Sequence, residues 1–137
     1  MKITNETKSR VIIIEVVETE DEYYPSYRVK VEVKTEYFEA KFNRDSWISA
    51  VDLDDFIVRL KKLDETRNGF EKLLSMSPEE FQLGFKNIDN SGHLAVSLQL
   101  KKESQADNSY KDCLQIEFEI DPTSLRYIIS DLEQLKH

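Results

Sequence analysis

Two stretches of this chain place apolar residues at the same spacing: Leu53, Phe56, Ile57, Leu60 and Leu63 in the first half, and Leu125, Ile128, Ile129, Leu132 and Leu135 in the second. Positions three and four apart share one face of an α-helix, so each stretch predicts an amphipathic helix with a single apolar stripe. Each follows segments in which apolar and polar residues alternate, the pattern of strands buried on one face. The chain therefore reads as strands then helix, written twice, in halves of roughly 1–68 and 69–137 within one domain.

The cleanest alternation sets Tyr27, Val29, Val31 and Val33 against Arg28, Lys30, Glu32 and Lys34, and Phe38, Ala40 and Phe42 continue it after a tight turn near Thr35. Upstream, Met1 to Val17 predicts a hairpin, with Ile3 in a short edge strand, a polar turn over Asn5 to Lys8, and a β-prone strand from Val11 to Val17. Ile12, Ile14 and Val16 form one face of that strand, while Val11, Ile13 and Val17 make the other apolar too. Such a strand belongs in the middle of a sheet or under a cover. In the second half, strands are predicted at Phe81 to Phe85, Leu94 to Leu100 and Leu114 to Ile120. Asp89-Asn90-Ser91-Gly92 turns between the first two, and polar Glu103 to Asp112 forms a longer, mobile loop before the third. Phe70 to Met76 admits either a further helical turn or a loop plugging the core.

The helix ends carry their own signals. Asp52 is the expected N-cap of the first helix, with Asp54 and Asp55 complementing the dipole, and Asn68-Gly69 its stop, the glycine supplying a left-handed conformation. Asp121 caps the second, with Pro122 at the first helical position, where its missing N–H is harmless. Two one-sided helices and a set of one-sided strands predict an α+β fold: an antiparallel sheet of about six to seven strands with both helices packed on one face. The outer face would show a mixed-charge surface, including Arg28, Lys30, Glu32, Lys34, Glu39, Lys41, Lys86 and Glu117, suited to cross-strand pairs or a polar partner.

Composition narrows the functional classes. At 137 residues, with 39% hydrophobic and 34% charged residues and only three Gly and three Pro, the chain predicts one compact core. A net charge of −8 argues against generic binding to nucleic acid or an anionic membrane, and favours a basic partner. Cys113 is the single cysteine, which excludes an internal disulfide and fits a reducing compartment. Neither a signal-peptide pattern nor a bilayer-length apolar run is visible, so the expected location is cytoplasmic.

Catalytic chemistry finds little support. His93 follows a turn and His137 is the last residue, neither in a motif that signals the positioned partner acid-base work needs, and no nucleophile elbow, Walker loop, dinucleotide fingerprint or zinc-helix motif occurs. Asn87 to Gly92 resembles the start of a calcium loop, but Leu98 stands where that loop needs a bidentate Glu, and a hairpin turn explains it better. Helix capping likewise explains Asp52, Asp54 and Asp55 better than metal ligation. Cys113 lacks a base to activate its thiol. Trp47 is expected in the core, with an interface anchor as the competing reading. No catalytic residue, cofactor or metal site is therefore expected. The best binding candidate is the segment holding Glu18, Glu20, Asp21, Glu22, Tyr23, Tyr24 and Tyr27, read as an acidic loop closed by Pro25. Carboxylates steer a basic protein, and tyrosines supply rigid amphipathic contact area.

Several short stretches carry a family resemblance: Tyr37-Phe38-Glu39-Ala40, Leu53-Asp54-Asp55-Phe56-Ile57, Gly92-His93-Leu94-Ala95-Val96 and Asp121-Pro122-Thr123-Ser124-Leu125. With the order of elements, they make the chain similar to the WapI-type immunity proteins, small acidic α+β proteins encoded beside a contact-dependent toxin. The resemblance implies a protein that neutralises a toxin, often a nuclease, by binding it, without catalysis or cofactor. It transfers no contact residues. The alternative is a regulatory or scaffold protein that self-associates through a strand edge, for instance as a homodimer.

Overall fold

The computed structural model describes residues 1–77, 79–103 and 111–136, with the backbone alone at 43–45. Four strands, β1 (Lys2–Thr4), β2 (Val11–Glu20), β3 (Ser26–Lys34) and β4 (Glu39–Ser49), lead into helix α1 (Ala50–Thr66). Four more, β5 (Phe70–Leu74), β6 (Phe81–Asn87), β7 (Leu94–Glu103) and β8 (Lys111–Ile120), lead into helix α2 (Leu125–Gln134). The α+β class and the two helices agree with the sequence reading. The loop expected over Glu103 to Asp112 falls largely outside the described residues, with β7 and β8 reaching Glu103 and Lys111 on either side.

The single sheet is a correction. The strands form two four-stranded antiparallel sheets, each a meander in chain order, β1-β2-β3-β4 and β5-β6-β7-β8. Each strand pairs with its sequence neighbour, and α1 interrupts the run so that β5 opens a new sheet. Phe70 to Leu74 is consequently a strand, neither helix nor loop: Phe70 pairs with Lys86 and Leu74 with Gln82. Its pattern hides this, because Leu73 is the only fully buried residue and Glu71 is turned toward α1, where it meets Arg59 at 2.8 Å.

One apolar core joins both sheets and both helices, running from Ile3, Ile12 and Val31 through Phe56, Leu60 and Phe85 to Ile120, Leu125 and Leu132. Phe56 of α1 meets Phe85 of β6 with ring centroids 6.2 Å apart. The predicted stripes do face inward, with Leu53, Phe56, Ile57, Leu60 and Leu63 buried on α1 and Leu125, Ile128, Ile129 and Leu132 on α2. The sheets approach each other where the Met76 amide donates to the Trp47 carbonyl at 2.7 Å, and where Arg10 reaches the Glu117 carbonyl at 3.5 Å. The outer face of the first sheet carries cross-strand ion pairs such as Lys34–Glu39 at 3.2 Å.

Helix α1 is capped differently from expectation. Ser49, the last residue of β4, is the N-cap, its hydroxyl accepting the Asp52 amide at 3.0 Å. The helix starts directly off the strand, which places Asp52 in the first turn as a dipole partner. At the other end Arg67, and not Gly69, holds the left-handed cap with φ 53°, its amide donating to Leu63 at 2.8 Å. The Arg67 guanidinium then bonds Asp64 and Pro122 at 2.7 Å each, tying the end of α1 to the start of the last helical segment. Asp121 caps a 3-10 turn over Pro122–Ser124 and not α2 itself, its carboxylate accepting the Thr123 amide at 2.8 Å; α2 begins a turn later, at Leu125, with Ser124 as an N-cap that makes no side-chain bond.

Candidate functional site

The site begins with a defect in a strand. Ile12, Ile14 and Val16 of β2 pair with Val33, Val31 and Val29, and continued alternation would send Glu18 and Glu20 inward after them. A bulge between Val16 and Glu18 inserts Val17 as an extra residue, so that Glu18 pairs with Arg28 and Glu20 with Ser26 on the outer face. Two carboxylates thereby leave the core side. On β4 the neighbours in register are Trp47 opposite Arg28 and Ser49 opposite Ser26, giving one row of Glu18, Arg28 and Trp47 and a second of Glu20, Ser26 and Ser49.

The Glu18 carboxylate is fixed by Arg28 at 2.9 Å. Glu20 accepts the backbone amides of Glu22 and Tyr23 at 2.8 and 3.4 Å, which curls the following loop back over the strand end. Tyr23 and Tyr24 are left exposed, and the Pro25 carbonyl anchors the loop by accepting the Ala50 amide at 2.8 Å. The second half of the chain supplies the opposite wall. There the Met76–Trp47 backbone bond sets the position of Met76, the Ser75 hydroxyl donates to the Ser77 carbonyl, and the Glu80 amide donates to that same carbonyl at 2.9 Å. The Glu80 carboxylate is held by Lys102 at 2.6 Å.

Between these walls lies a groove of about 490 Å³, lined by Glu18, Glu20, Tyr23, Tyr24, Ser26, Trp47, Met76, Ser77 and Glu80. That volume lies within the range of roughly 300–1,000 Å³ typical of ligand pockets. A second hollow, on the outer face of the second sheet beneath Phe70 and among Gln82, Gln99 and Gln115, measures only about 160 Å³. Around the larger groove Glu18 is matched by Arg28, Glu79 by Lys101 and Glu80 by Lys102, while Glu20, Asp21 and Glu22 have no salt bridge among the described residues. The rim is thus net acidic.

The structure brings six of the seven residues singled out from sequence into this neighbourhood. Glu18 and Glu20 belong to β2 and not to the loop, which is shorter than expected, and Asp21, Glu22, Tyr23 and Tyr24 form its exposed part. Tyr27 is the exception, lying on the core side of β3 packed against the apolar cluster. Trp47, expected in the core, is half-buried on the outer face. Its parity with buried Ile48 was the available signal. Met76, Ser77 and Glu80 left none, because their place depends on how the second half docks.

The remaining candidates resolve into structure. In the calcium-like turn, Asn87 accepts the Asp89 amide at 2.9 Å and Asp89 accepts the Ser91 amide at 2.8 Å, so these oxygens serve the hairpin. His93 Nδ1 lies 2.5 Å from Asp89, a bond that lowers the aspartate pKa and raises that of the histidine. Among the described residues no group of three or more His, Cys, Asp or Glu could hold a metal ion, and no helix is long and apolar enough to cross a membrane. Cys113 is exposed on β8.

Fold and groove define an α+β protein of two antiparallel sheets with an acidic, aromatic-walled surface groove. The chain belongs to the Immunity protein WapI-like family, whose pattern matches residues 2–136. No curated protein matches the sequence. Among solved structures it is similar to one titled "Crystal structures of trypanosoma bruciei MRP1/MRP2", with 10% identity, a TM-score of 0.41, and coverage of 100% of this chain and 81% of that one.

Proposed function

We propose that this protein neutralises a toxin by binding it directly, in the cytoplasm, without catalysis or cofactor, and that the toxin domain is basic. Membership of the immunity family carries the reading. The net charge of −8 supports a basic partner, and the acidic rim of the groove supports this end of the first sheet as the place of docking. Glu18, Glu20, Asp21, Glu22, Tyr23 and Tyr24 form the contact surface in this reading, with Tyr27 bracing the strand beneath them.

The test is capture of the toxic domain encoded by an adjacent large gene, with loss of its activity on binding. Reversing Glu20, Asp21 and Glu22 to Lys should slow association about tenfold at low salt and flatten its salt dependence. Unchanged kinetics with a toxin that the native protein neutralises would reject this docking surface. Sedimentation showing a stable dimer at micromolar concentration, with no toxin captured, would favour the self-associating scaffold instead.

A further inference from the structure

We infer that the groove beside Trp47 is a receptor for an arginine side chain, presented on an exposed segment of the partner. For the identity of that partner the inference rests on the toxin-binding reading; the chemistry of the groove stands by itself.

Three features select the occupant. First, among the described residues three carboxylates and no Lys, Arg or His line the groove, so an anion is disfavoured and a cation attracted. Second, its apolar surface is largely aromatic and sulfur-bearing, from Tyr23, Tyr24, Trp47 and Met76. Aromatic faces attract cations through the ring quadrupole, most strongly on Trp. Third, the polar groups are held before any ligand arrives, Glu20 by two backbone amides and Glu18 and Glu80 by Arg28 and Lys102. Preorganised acceptors lose less conformational freedom on binding.

A guanidinium uses all three features better than an ammonium. It is planar, stacks on an aromatic face, forks onto a carboxylate and is more weakly hydrated, so an aromatic-walled groove strips its water at lower cost. Since Glu18 and Glu80 already carry internal partners, Glu20 is the carboxylate assigned to the incoming charge. The volume of about 490 Å³ leaves room for residues flanking the arginine against Met76 and Tyr24.

Trp47 is the sole tryptophan, so its fluorescence reports the groove directly. The probe is a capped tetrapeptide, acetyl-Ala-Arg-Leu-Ala-amide, titrated into the full chain and followed by Trp47 emission and calorimetry. Its lysine version and its citrulline version, isosteric with arginine but neutral, serve as comparisons. The expected result is saturable binding of the arginine peptide, weaker binding of the lysine peptide, and about tenfold weaker binding of the citrulline peptide. Glu20→Gln and Tyr24→Ala should each weaken the arginine peptide several-fold, while Tyr127→Ala on distant α2 should not. Equal affinity for arginine and citrulline would overturn the inference, as would no binding of the arginine peptide at about 10 mM. The second arm measures neutralisation of the adjacent toxin domain by the Glu20→Gln, Tyr24→Ala double variant, its folding checked by circular dichroism. A folded double variant that neutralises as well as the native chain removes the groove from toxin docking and leaves the immunity reading intact. A native protein that binds the arginine peptide but no toxin removes the immunity reading and leaves the groove intact.

Discussion

Arg67 tests the link between backbone strain and tertiary bonding. It occupies the left-handed region at φ 53°, where an L-residue with a Cβ is less stable than glycine by about 1–2 kcal/mol. Its guanidinium offsets that strain by bonding Asp64 Oδ1 and the Pro122 carbonyl at 2.7 Å, and Nε adds the Asp64 carbonyl at 3.0 Å. Hydrogen bonds to a charged group contribute about 1.5–3 kcal/mol each when sheltered. The side chain is 27% exposed and its Asp64 partner 30%, so water replaces part of what is lost, and about 2 kcal/mol is the reasonable sum. Arg67→Ala removes the bonds and keeps the strain, and should destabilise by about 2 kcal/mol. Arg67→Gly removes the same bonds but relieves the strain, against a larger unfolded-state entropy, and should destabilise by only about 1 kcal/mol. Urea unfolding followed by Trp47 fluorescence gives both values. A glycine variant as unstable as the alanine variant would show that the left-handed strain is not felt, and an alanine variant within about 0.5 kcal/mol of the native chain would remove the guanidinium from the account.

Ser49→Ala should destabilise by about 1 kcal/mol because it removes the cap, whereas Asp52→Ala should lose only a few tenths through the dipole; urea midpoints that rank them in reverse would restore Asp52 as the cap. The His93–Asp89 bond makes a pH prediction with a definite sign. His93, raised from 6.5, adds stability that is complete below pH 6.5 and lost as pH climbs through its raised value; Asp89, lowered from 3.8, adds stability present above pH 3.8 and lost as pH falls through its lowered value. An NMR titration should find His93 above 6.5, returning toward it in Asp89→Asn, and an unchanged midpoint in that variant would sever the pair. We also propose that the two halves unfold as one domain, since Phe56 and Phe85 meet across them. Phe56→Ala should then lower stability by about 3–5 kcal/mol and weaken hydrogen-exchange protection of β7 as much as that of β3. Protection of β7 that survives while β3 loses it would separate the halves.

The legible parts of this fold are those encoded by local periodicity. The Leu-Phe-Ile-Leu-Leu stripe of α1 and the alternation of β3 point the right way because both periods follow directly from helix and strand geometry. What periodicity cannot encode is which strand stops pairing with the next. The split between β4 and β5 falls where α1 interrupts the run of strands, and β5 itself presents Phe70 and Leu74 outward, against the expected pattern. Ser49 was hidden as a cap because it is simultaneously the last strand residue. In the candidate site the acidic and tyrosine residues were visible as a local cluster, while Trp47 joins it through the β3–β4 register and Met76 and Glu80 only through contacts between the halves.

The bulge at Val17 explains why an acidic run can terminate a core strand at all. Extended without interruption, β2 would aim Glu18 and Glu20 at the side where Ile12, Ile14 and Val16 are packed. Carboxylates on that side would stand against half-buried Val16 and Tyr27 at the margin of the core, where losing water without a partner is unfavourable, and one irregular step in the ladder avoids this. The strand thereby turns its acids onto the face where Arg28 and Trp47 stand in register. The same local event that protects the core therefore builds one wall of the groove. Moving those charges to another face would require moving the bulge, so the fold and the candidate binding surface are specified by the same few residues.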